Sequence, residues 1–145
     1  NFEVGAIIAG SGNIYNQAGG LNLHIYGTGP VGAAVLNIAT SGSQLNYGST
    51  MLVLRGADPS EEQAFFATAD IRFDEVVKGL GNNITVAYAF SSLDTDFEVA
   101  EWAFLFNGTD PHLSLDAASV AINSVPAPAT LALLALGTVA RRRRG

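Results

Sequence analysis

Apolar and polar residues alternate in several short stretches of the chain. A period of two is typical of β-strands, because successive side chains of a strand point to opposite faces of a sheet. In the stretch LNLHIY, three aliphatic residues alternate with polar ones, so Leu21, Leu23 and Ile25 share one face. The other stretches with this pattern are ATADIRF at 67–73, ITVAYAF at 84–90, EWAFLF at 101–106 and HLSLDAASVAI at 112–122.

The spacing of these stretches predicts the fold class. MLVLR at 51–55 is a short apolar run near glycines and adds one more candidate strand for the core. Strands that recur at roughly 8 to 12 residues, separated by glycine-rich turns, are typical of sandwiches and barrels. We therefore expect an all-β body, built as an antiparallel β-sandwich or a jelly roll.

Two segments have patterns that suggest helices. PSEEQAFFATA, which begins at Pro59, has the proline and acidic residues of a helix start and is compatible with one short helix. GTGPVG at 27–32 matches the glycine pattern of dinucleotide-binding proteins, and VGAAVLNIA could supply the helix that this motif requires. No acidic residue lies at 40–57 to bind a ribose, so we interpret GTGPVG as a turn between two strands.

Composition and charge limit the function classes. The chain has 145 residues, 48% hydrophobic and 14% charged, which is enough apolar material for one domain with a core. It contains no cysteine, which excludes disulfides, thiolate metal sites and a cysteine nucleophile. Residues 1–124 carry three basic and 13 acidic residues, a net charge of −10. An acidic body repels phosphate backbones, so we do not expect nucleic-acid binding.

The C-terminal segment 125–145 differs from the rest of the chain. An uncharged run of 16 residues, Val125 to Ala140, is followed by four consecutive arginines, Arg141 to Arg144. As a helix the run measures about 24 Å, and arginine side chains can extend it towards the roughly 30 Å core of a bilayer. A buried amphipathic helix is the alternative, but such a helix seldom ends in four arginines. We expect a transmembrane helix with its arginines in the cytoplasm and residues 1–124 outside.

This segment resembles the bacterial C-terminal sorting signal called PEP-CTERM. The family pattern is Pro-Glu-Pro, a short transmembrane helix and an arginine cluster, and here Pro126, Ala127 and Pro128 are followed by an apolar run and Arg141, Arg142, Arg143 and Arg144. Ala127 stands in the place of the central glutamate. The resemblance covers about the last 20 residues.

The resemblance implies an exported protein of a Gram-negative bacterium. Its partners would be the membrane and an exosortase, a membrane protease that recognises the signal. An intermediate anchored in the inner membrane would then pass to the cell surface or an exopolysaccharide matrix. The sequence begins at Asn1, which is compatible with a removed signal peptide or with a fragment of a longer protein.

The densest acidic stretch is SSLDTDFEVAEW at 91–102. Asp94, Asp96 and Glu98 alternate in it, so in an extended conformation they would lie on one face. Oxygen ligands of this kind suit Ca²⁺, and a loop could fold the three carboxylates around one cation. The glycine and the glutamate of a complete EF-hand loop are missing. The alternative is an acidic loop whose charges protect the edge of a sheet.

Candidate residues for catalysis are few. Neither a G-x-S-x-G nor an H-E-x-x-H motif occurs, and His24 and His112 have no evident partner in the sequence. Glu98 and Glu101 could form the carboxylate pair of a glycosidase, but their separation in space would decide that. The aromatic residues that could stack on sugars are Tyr15, Tyr26, Tyr47 and Trp102. Trp102 alternates with two phenylalanines, so we expect it in the core.

The sequence therefore predicts two parts: an extracellular β-sandwich domain at 1–124 and a sorting signal at 125–145. Our leading hypothesis is a non-enzymatic structural protein of the cell surface or the exopolysaccharide matrix. The alternative is a carbohydrate-binding module of that matrix, assisted by calcium, and a secreted hydrolase comes third. Apart from calcium, no cofactor is expected.

Overall fold

The computed structural model describes residues 7–8, 10–16, 19–108 and 111–124. In these residues the chain is all-β, as predicted, and its strands form two antiparallel sheets. The segment 125–145, with the predicted transmembrane helix, lies outside the described residues. Among the residues that are described, no helix combines the length and the hydropathy that a membrane crossing requires.

One sheet has six strands and the other has four. In spatial order, the larger sheet consists of β1 (Ile7–Ile8), β2 (Ile14–Tyr15), β10 (Leu113–Asn123), β4 (Ala33–Gly42), β8 (Gly81–Phe90) and β7 (Ala69–Val77). The smaller sheet consists of β3 (Leu21–Thr28), β9 (Glu101–Gly108), β5 (Met51–Arg55) and β6 (Glu62–Phe66). One short 3-10 helix, Tyr47–Ser49, precedes β5.

The inner faces of the two sheets enclose one apolar core in a sandwich-like arrangement. The central strands β4 and β8 of the larger sheet alternate buried and less buried residues, as the period of two predicts. The largest fully buried side chains include Tyr88 and Phe90 of β8, Phe104 of β9, and Leu36 and Ile38 of β4. The rings of Phe90 and Phe104 meet edge to face with their centroids 5.3 Å apart and so connect the two sheets.

The interpretation of GTGPVG as a turn is confirmed. It joins β3 to β4, with Gly29 at a φ of +100°, a conformation that favours glycine. The amide of Gly29 donates to the carbonyl oxygen of Ala100 at 2.8 Å, which ties the turn to the start of β9. VGAAVLNIA forms most of β4 rather than a helix. A side chain at Gly27 would overlap the indole ring of Trp102, so this glycine provides the space for the half-buried tryptophan.

The helix suggested for the segment that begins at Pro59 is wrong. Residues Glu62–Phe66 form β6, which pairs with β5 along its whole length. Arg55 of β5 contacts Glu62 across the strands, with Nε and Oε2 2.6 Å apart. Pairing with an existing strand has therefore outweighed the local helix-start signal of the acidic residues.

The strands β6 and β7 each form an edge of a different sheet. Two residues, Ala67 and Thr68, connect them, so the chain crosses here from the smaller sheet to the larger one. The amide of Thr68 donates to the carbonyl oxygen of Ala89 at 2.8 Å, which fixes the crossing against β8.

Candidate functional site

Most of the exposed large apolar side chains lie on and around β7. Seven large apolar side chains of the described residues are exposed, and five of them lie between positions 66 and 80. These five are Phe66, Ile71, Phe73, Val76 and Leu80, with exposed fractions between 61% and 79%. Concentrated apolar exposure of this kind typically marks a surface for interaction with another molecule.

The register with β8 explains why two of these side chains, those of Ile71 and Phe73, are exposed. Asp70, Arg72 and Asp74 lie opposite Tyr88, Val86 and Ile84, whose side chains are buried, so these three charged residues of β7 take the inner face. Ile71 and Phe73 lie opposite Ala87 and Thr85, on the outer face. An alanine and a threonine are too small to cover an isoleucine and a phenylalanine. Charged residues on the inner face of an edge strand restrict which strands can pair with that edge, because like charges that face each other destabilise the pair.

A polar cluster joins the inner face of β7 to the segment before β5. The hydroxyl of Tyr47 donates to Oδ2 of Asp74 at 3.0 Å, and the side-chain amide of Gln44 donates to the same oxygen at 2.9 Å. The amide of Asn82, on β8, donates in turn to Oε1 of Gln44 at 2.6 Å. Burial, together with the hydrogen bond to the Asp74 carboxylate, raises the pKa of Tyr47, so the phenol stays protonated as a donor.

Arg72 adds a positive charge to this cluster. Its guanidinium lies 4.0 Å from the centroid of the Tyr47 ring, within the range of a cation–π contact. It also forms two hydrogen bonds with the carboxylate of Asp70, of 2.5 and 2.8 Å. The hydrogen bonds from Arg72 lower the pKa of Asp70, which therefore keeps its negative charge through mild acid. The two faces of β7 thus differ over residues 70–74, where Ile71 and Phe73 lie on the outer face and Asp70, Arg72 and Asp74 on the inner one.

A tight turn ends β7 and leads into β8. The amide of Leu80 donates to the carbonyl oxygen of Val77 at 3.0 Å, and Gly79 between them has a φ of +81°. A positive φ at this position is typical of a type II turn, which favours glycine there. Gly81 follows, also at a positive φ, and starts β8. The turn leaves the side chain of Leu80 exposed beside the apolar face.

The predicted calcium ligands lie in the irregular segment between β8 and β9. Asp94, Asp96 and Glu98 are all exposed there. Within the described residues, no group of three or more histidine, aspartate or glutamate side chains is arranged so that it could hold a metal ion. Calcium binding by these residues remains a prediction that a titration can test.

The other predicted site residues are dispersed. Tyr26 is 80% exposed on β3, whereas Trp102 packs on the core with its ring edge to face with Phe104. His112 does have a partner, contrary to the sequence analysis, because the hydroxyl of Tyr15 lies 2.8 Å from its Nδ1. The sequence could not show this pair, since β2 and β10 meet only in the folded sheet.

Further predicted residues lie elsewhere. His24 is exposed on β3, Glu98 lies in the irregular segment, and Glu101 begins β9 with an exposed side chain. The sorting-signal residues Pro126, Ala127, Pro128 and Arg141 to Arg144 lie outside the described residues. Comparison with models of protein families, with curated proteins and with solved structures found no match to this chain.

Proposed function

We propose that this chain is an exported, non-enzymatic structural protein of the bacterial cell surface or exopolysaccharide matrix. In this proposal an exosortase recognises the C-terminal signal, a short transmembrane helix anchors the intermediate, and the sandwich-like body is delivered outside the inner membrane. Delivery and assembly depend on different parts of the chain, the first on residues 125–145 and the second on the body.

The order of residues in the tail supports the sorting step. Pro126, Ala127 and Pro128 precede an uncharged run, and four arginines follow it. An arginine at the centre of a membrane helix costs roughly 2.5–3.5 kcal/mol on insertion scales, so four together resist translocation and fix the orientation. The run is short and rich in alanine, so its insertion is weak, which suits an anchor that is later cleaved.

The exposed edge of the body supports the structural role. One observation carries it: five large apolar side chains between positions 66 and 80 are exposed on and beside an edge strand. A surface of this kind is unfavourable for an isolated protein in water and favourable for one that binds a neighbour. The net charge of −10 on residues 1–124 keeps such a body soluble until it meets its partner.

Mass spectrometry of protein extracted from the cell surface tests the proposed sorting. In a host with an exosortase, we expect the chain to lose the segment after Pro126-Ala127-Pro128, and Ala127→Glu to make that loss more complete. Replacing Arg141 to Arg144 by serines should release unprocessed protein or reverse its orientation. An intact surface protein that still ends in RRRRG would contradict the proposal.

A carbohydrate-binding module of the same matrix is the second candidate. Tyr26 favours it, because this aromatic side chain is 80% exposed on β3 and can stack on a sugar ring. Calcium would assist through Asp94, Asp96 and Glu98. Millimolar Ca²⁺ should then raise the melting temperature of the wild type by mass action and leave Asp96→Ala unchanged. If Ca²⁺ has no effect on the wild type, the acidic-loop interpretation stands.

A further inference from the structure

We infer that β7 is a homotypic assembly edge, which pairs antiparallel with β7 of a second copy of this chain, with Phe73 opposite the partner's Phe73. The inference rests on the proposed function, because anchoring many copies on one surface would raise their effective concentration and so favour pairing. The order of charged and apolar residues along β7 is best suited to pairing with the same strand of a second copy.

The backbone of β7 is available for such pairing. The strand hydrogen-bonds to β8 along one side, and within the described residues no strand lies along its other side. Its nine residues are about 30 Å long, and every second residue directs its amide and carbonyl away from β8. A long edge with free hydrogen-bonding groups is the usual template for addition of a strand from another chain.

The charges of β7 select one register. With Phe73 on the two-fold axis, all nine residues pair, and Arg72 lies opposite the partner's Asp74 on both sides of the axis. Opposite charges that face each other across two strands stabilise the pair. The inner faces of both copies then lie on the same side of one continuous sheet, because residues opposite each other share a face.

The neighbouring registers are worse. Centring the pair on Arg72 sets Arg72 opposite the partner's Arg72, and Asp70 opposite the partner's Asp74. Centring it on Asp74 sets two aspartates opposite each other. A register centred on Ile71 matches Asp70 with the partner's Arg72, but only residues 69–73 of the strand pair. The register through Phe73 is therefore the one that combines full overlap with matched charges.

The apolar outer face gains from the same arrangement. The two Phe73 rings become cross-strand neighbours, and each Ile71 lies diagonally beside the partner's Phe73 and directly opposite the partner's Glu75. Aromatic and β-branched cross-strand pairs are among the more stabilising ones in sheets. Phe73, which β8 leaves uncovered, is thus covered by the partner's Phe73 and Ile71.

Cysteine cross-linking of the full chain tests the register directly, because the chain has no cysteine of its own. In the purified full chain in mild detergent, Phe73→Cys should form a covalent dimer on oxidation, since the two thiols lie opposite each other. Ile71→Cys is the matched control, on the same face and more exposed than Phe73. Its two thiols lie four residues apart along the strands, about 13 Å, so it should cross-link little. Equal or greater cross-linking of Ile71→Cys would overturn the register, and failure of both would overturn the pairing.

Charge reversal provides an independent test that does not need a thiol. Arg72→Asp and Asp74→Arg each set like charges opposite each other, so each variant alone should associate about tenfold more weakly than the wild type. An equimolar mixture of the two restores opposite charges at both positions and should recover association as a heterodimer. Association of the mixture that is no stronger than that of either variant would contradict the inference.

The two proposals fail separately. Processing of the tail is measured by mass spectrometry and does not depend on β7. If Phe73→Cys yields no dimer while the tail is processed, the pairing is wrong and the sorting proposal stands. If β7 pairs in both assays while the tail remains intact, the sorting proposal is wrong.

Discussion

The strands β7 and β8 are neighbours in one sheet and have the same alternating pattern, yet the structure uses them differently. Every second residue of β8, from Ile84 to Phe90, is buried with at most 1% of its surface exposed. In β7 the apolar residues Ile71 and Phe73 face outward, and Asp70, Arg72 and Asp74 take the inner face. An alternating pattern therefore specifies a strand with two different faces and does not specify which face is covered.

The two strands have different roles: β8 stabilises the fold, and β7 is available for interaction with another molecule. The inward-facing side chains of β8 belong to the core between the two sheets, so they contribute to the free energy of unfolding. Those on the outer face of β7 contact little within the chain and are available to a second molecule. Substitutions that remove equal amounts of apolar surface from the two strands should therefore have very different consequences.

The largest effect should come from Phe90→Ala on β8. Phe90 is 1% exposed and packs on Phe104 of the opposite sheet, so its removal leaves a cavity between the sheets. We expect a loss of about 3–5 kcal/mol in the free energy of unfolding, measured by urea denaturation. The matched change on β7, Phe73→Ala, should cost less than about 1 kcal/mol, because that ring is 61% exposed. Similar losses for both would mean that the outer face of β7 is covered within the chain.

The hairpin between the strands offers a second comparison. Gly79 and Gly81 both have a positive φ, but a Cβ at Gly79 would meet nothing within 4 Å, whereas at Gly81 it would lie 2.9 Å from the carbonyl carbon of Gly42. Gly81→Ala should therefore lower the free energy of unfolding by about 2–4 kcal/mol through strain and overlap. Gly79→Ala has the strain alone and should cost about 1–2 kcal/mol. Equal costs would show that β8 can move away from β4 in this region.

A smaller effect is expected at alkaline pH, where the free energy of unfolding should depend on Tyr88, a buried residue of β8. Burial raises the pKa of Tyr88 above its usual value. The unfolded chain therefore releases this proton near pH 10, while the folded chain retains it to higher pH. The stability that Tyr88 provides is complete below about pH 10 and is lost as the pH rises through the raised pKa.

Urea denaturation below and above that pH measures the effect. Tyr88→Phe should reduce the alkaline loss of stability, because the variant has no proton to release at this position. Tyr26→Phe, which removes the hydroxyl of an exposed tyrosine on β3, is the control and should retain the loss. An unchanged alkaline loss in Tyr88→Phe would mean that other groups cause it.

Much of the fold could be predicted from the sequence, because the period of two depends only on residues within one strand. The strands at 21–26, 84–90 and 101–106 were predicted in this way and are confirmed, as is the strand at 51–55, which was predicted from a short apolar run. β6 was not, since the proline and acidic residues after position 58 favour a helix locally. It becomes a strand because β5 offers it a complete set of backbone partners and an arginine for Glu62.

The candidate site was harder to predict, because its contacts join distant parts of the chain. Tyr47 and Asp74, which hydrogen-bond, are 27 residues apart, and nothing local to either residue indicates the other. The sequence did contain one relevant signal: Asp70, Arg72 and Asp74 alternate in a chain with only 14% charged residues. That pattern indicates a strand with a charged face, but only the position of β7 at the edge of the sheet shows that Ile71 and Phe73 on the other face are exposed.

The smallest effect should come from Arg72→Gln, which tests how far the inner face of β7 depends on its charges. Without the hydrogen bonds from Arg72, the pKa of Asp70 should rise towards its usual range, measured by NMR titration of the carboxyl group. Because the Asp70 carboxylate is held in its charged form, its contribution to stability is present at neutral pH and is lost as the pH falls through the lowered pKa. The pair is exposed, so the free energy of unfolding at neutral pH should change little. A large loss of stability would instead mean that the contact of Arg72 with the Tyr47 ring holds β7 against the rest of the sandwich. In that case β7 would belong to the stable core with β8, and the contrast between the two strands would be confined to the outer face.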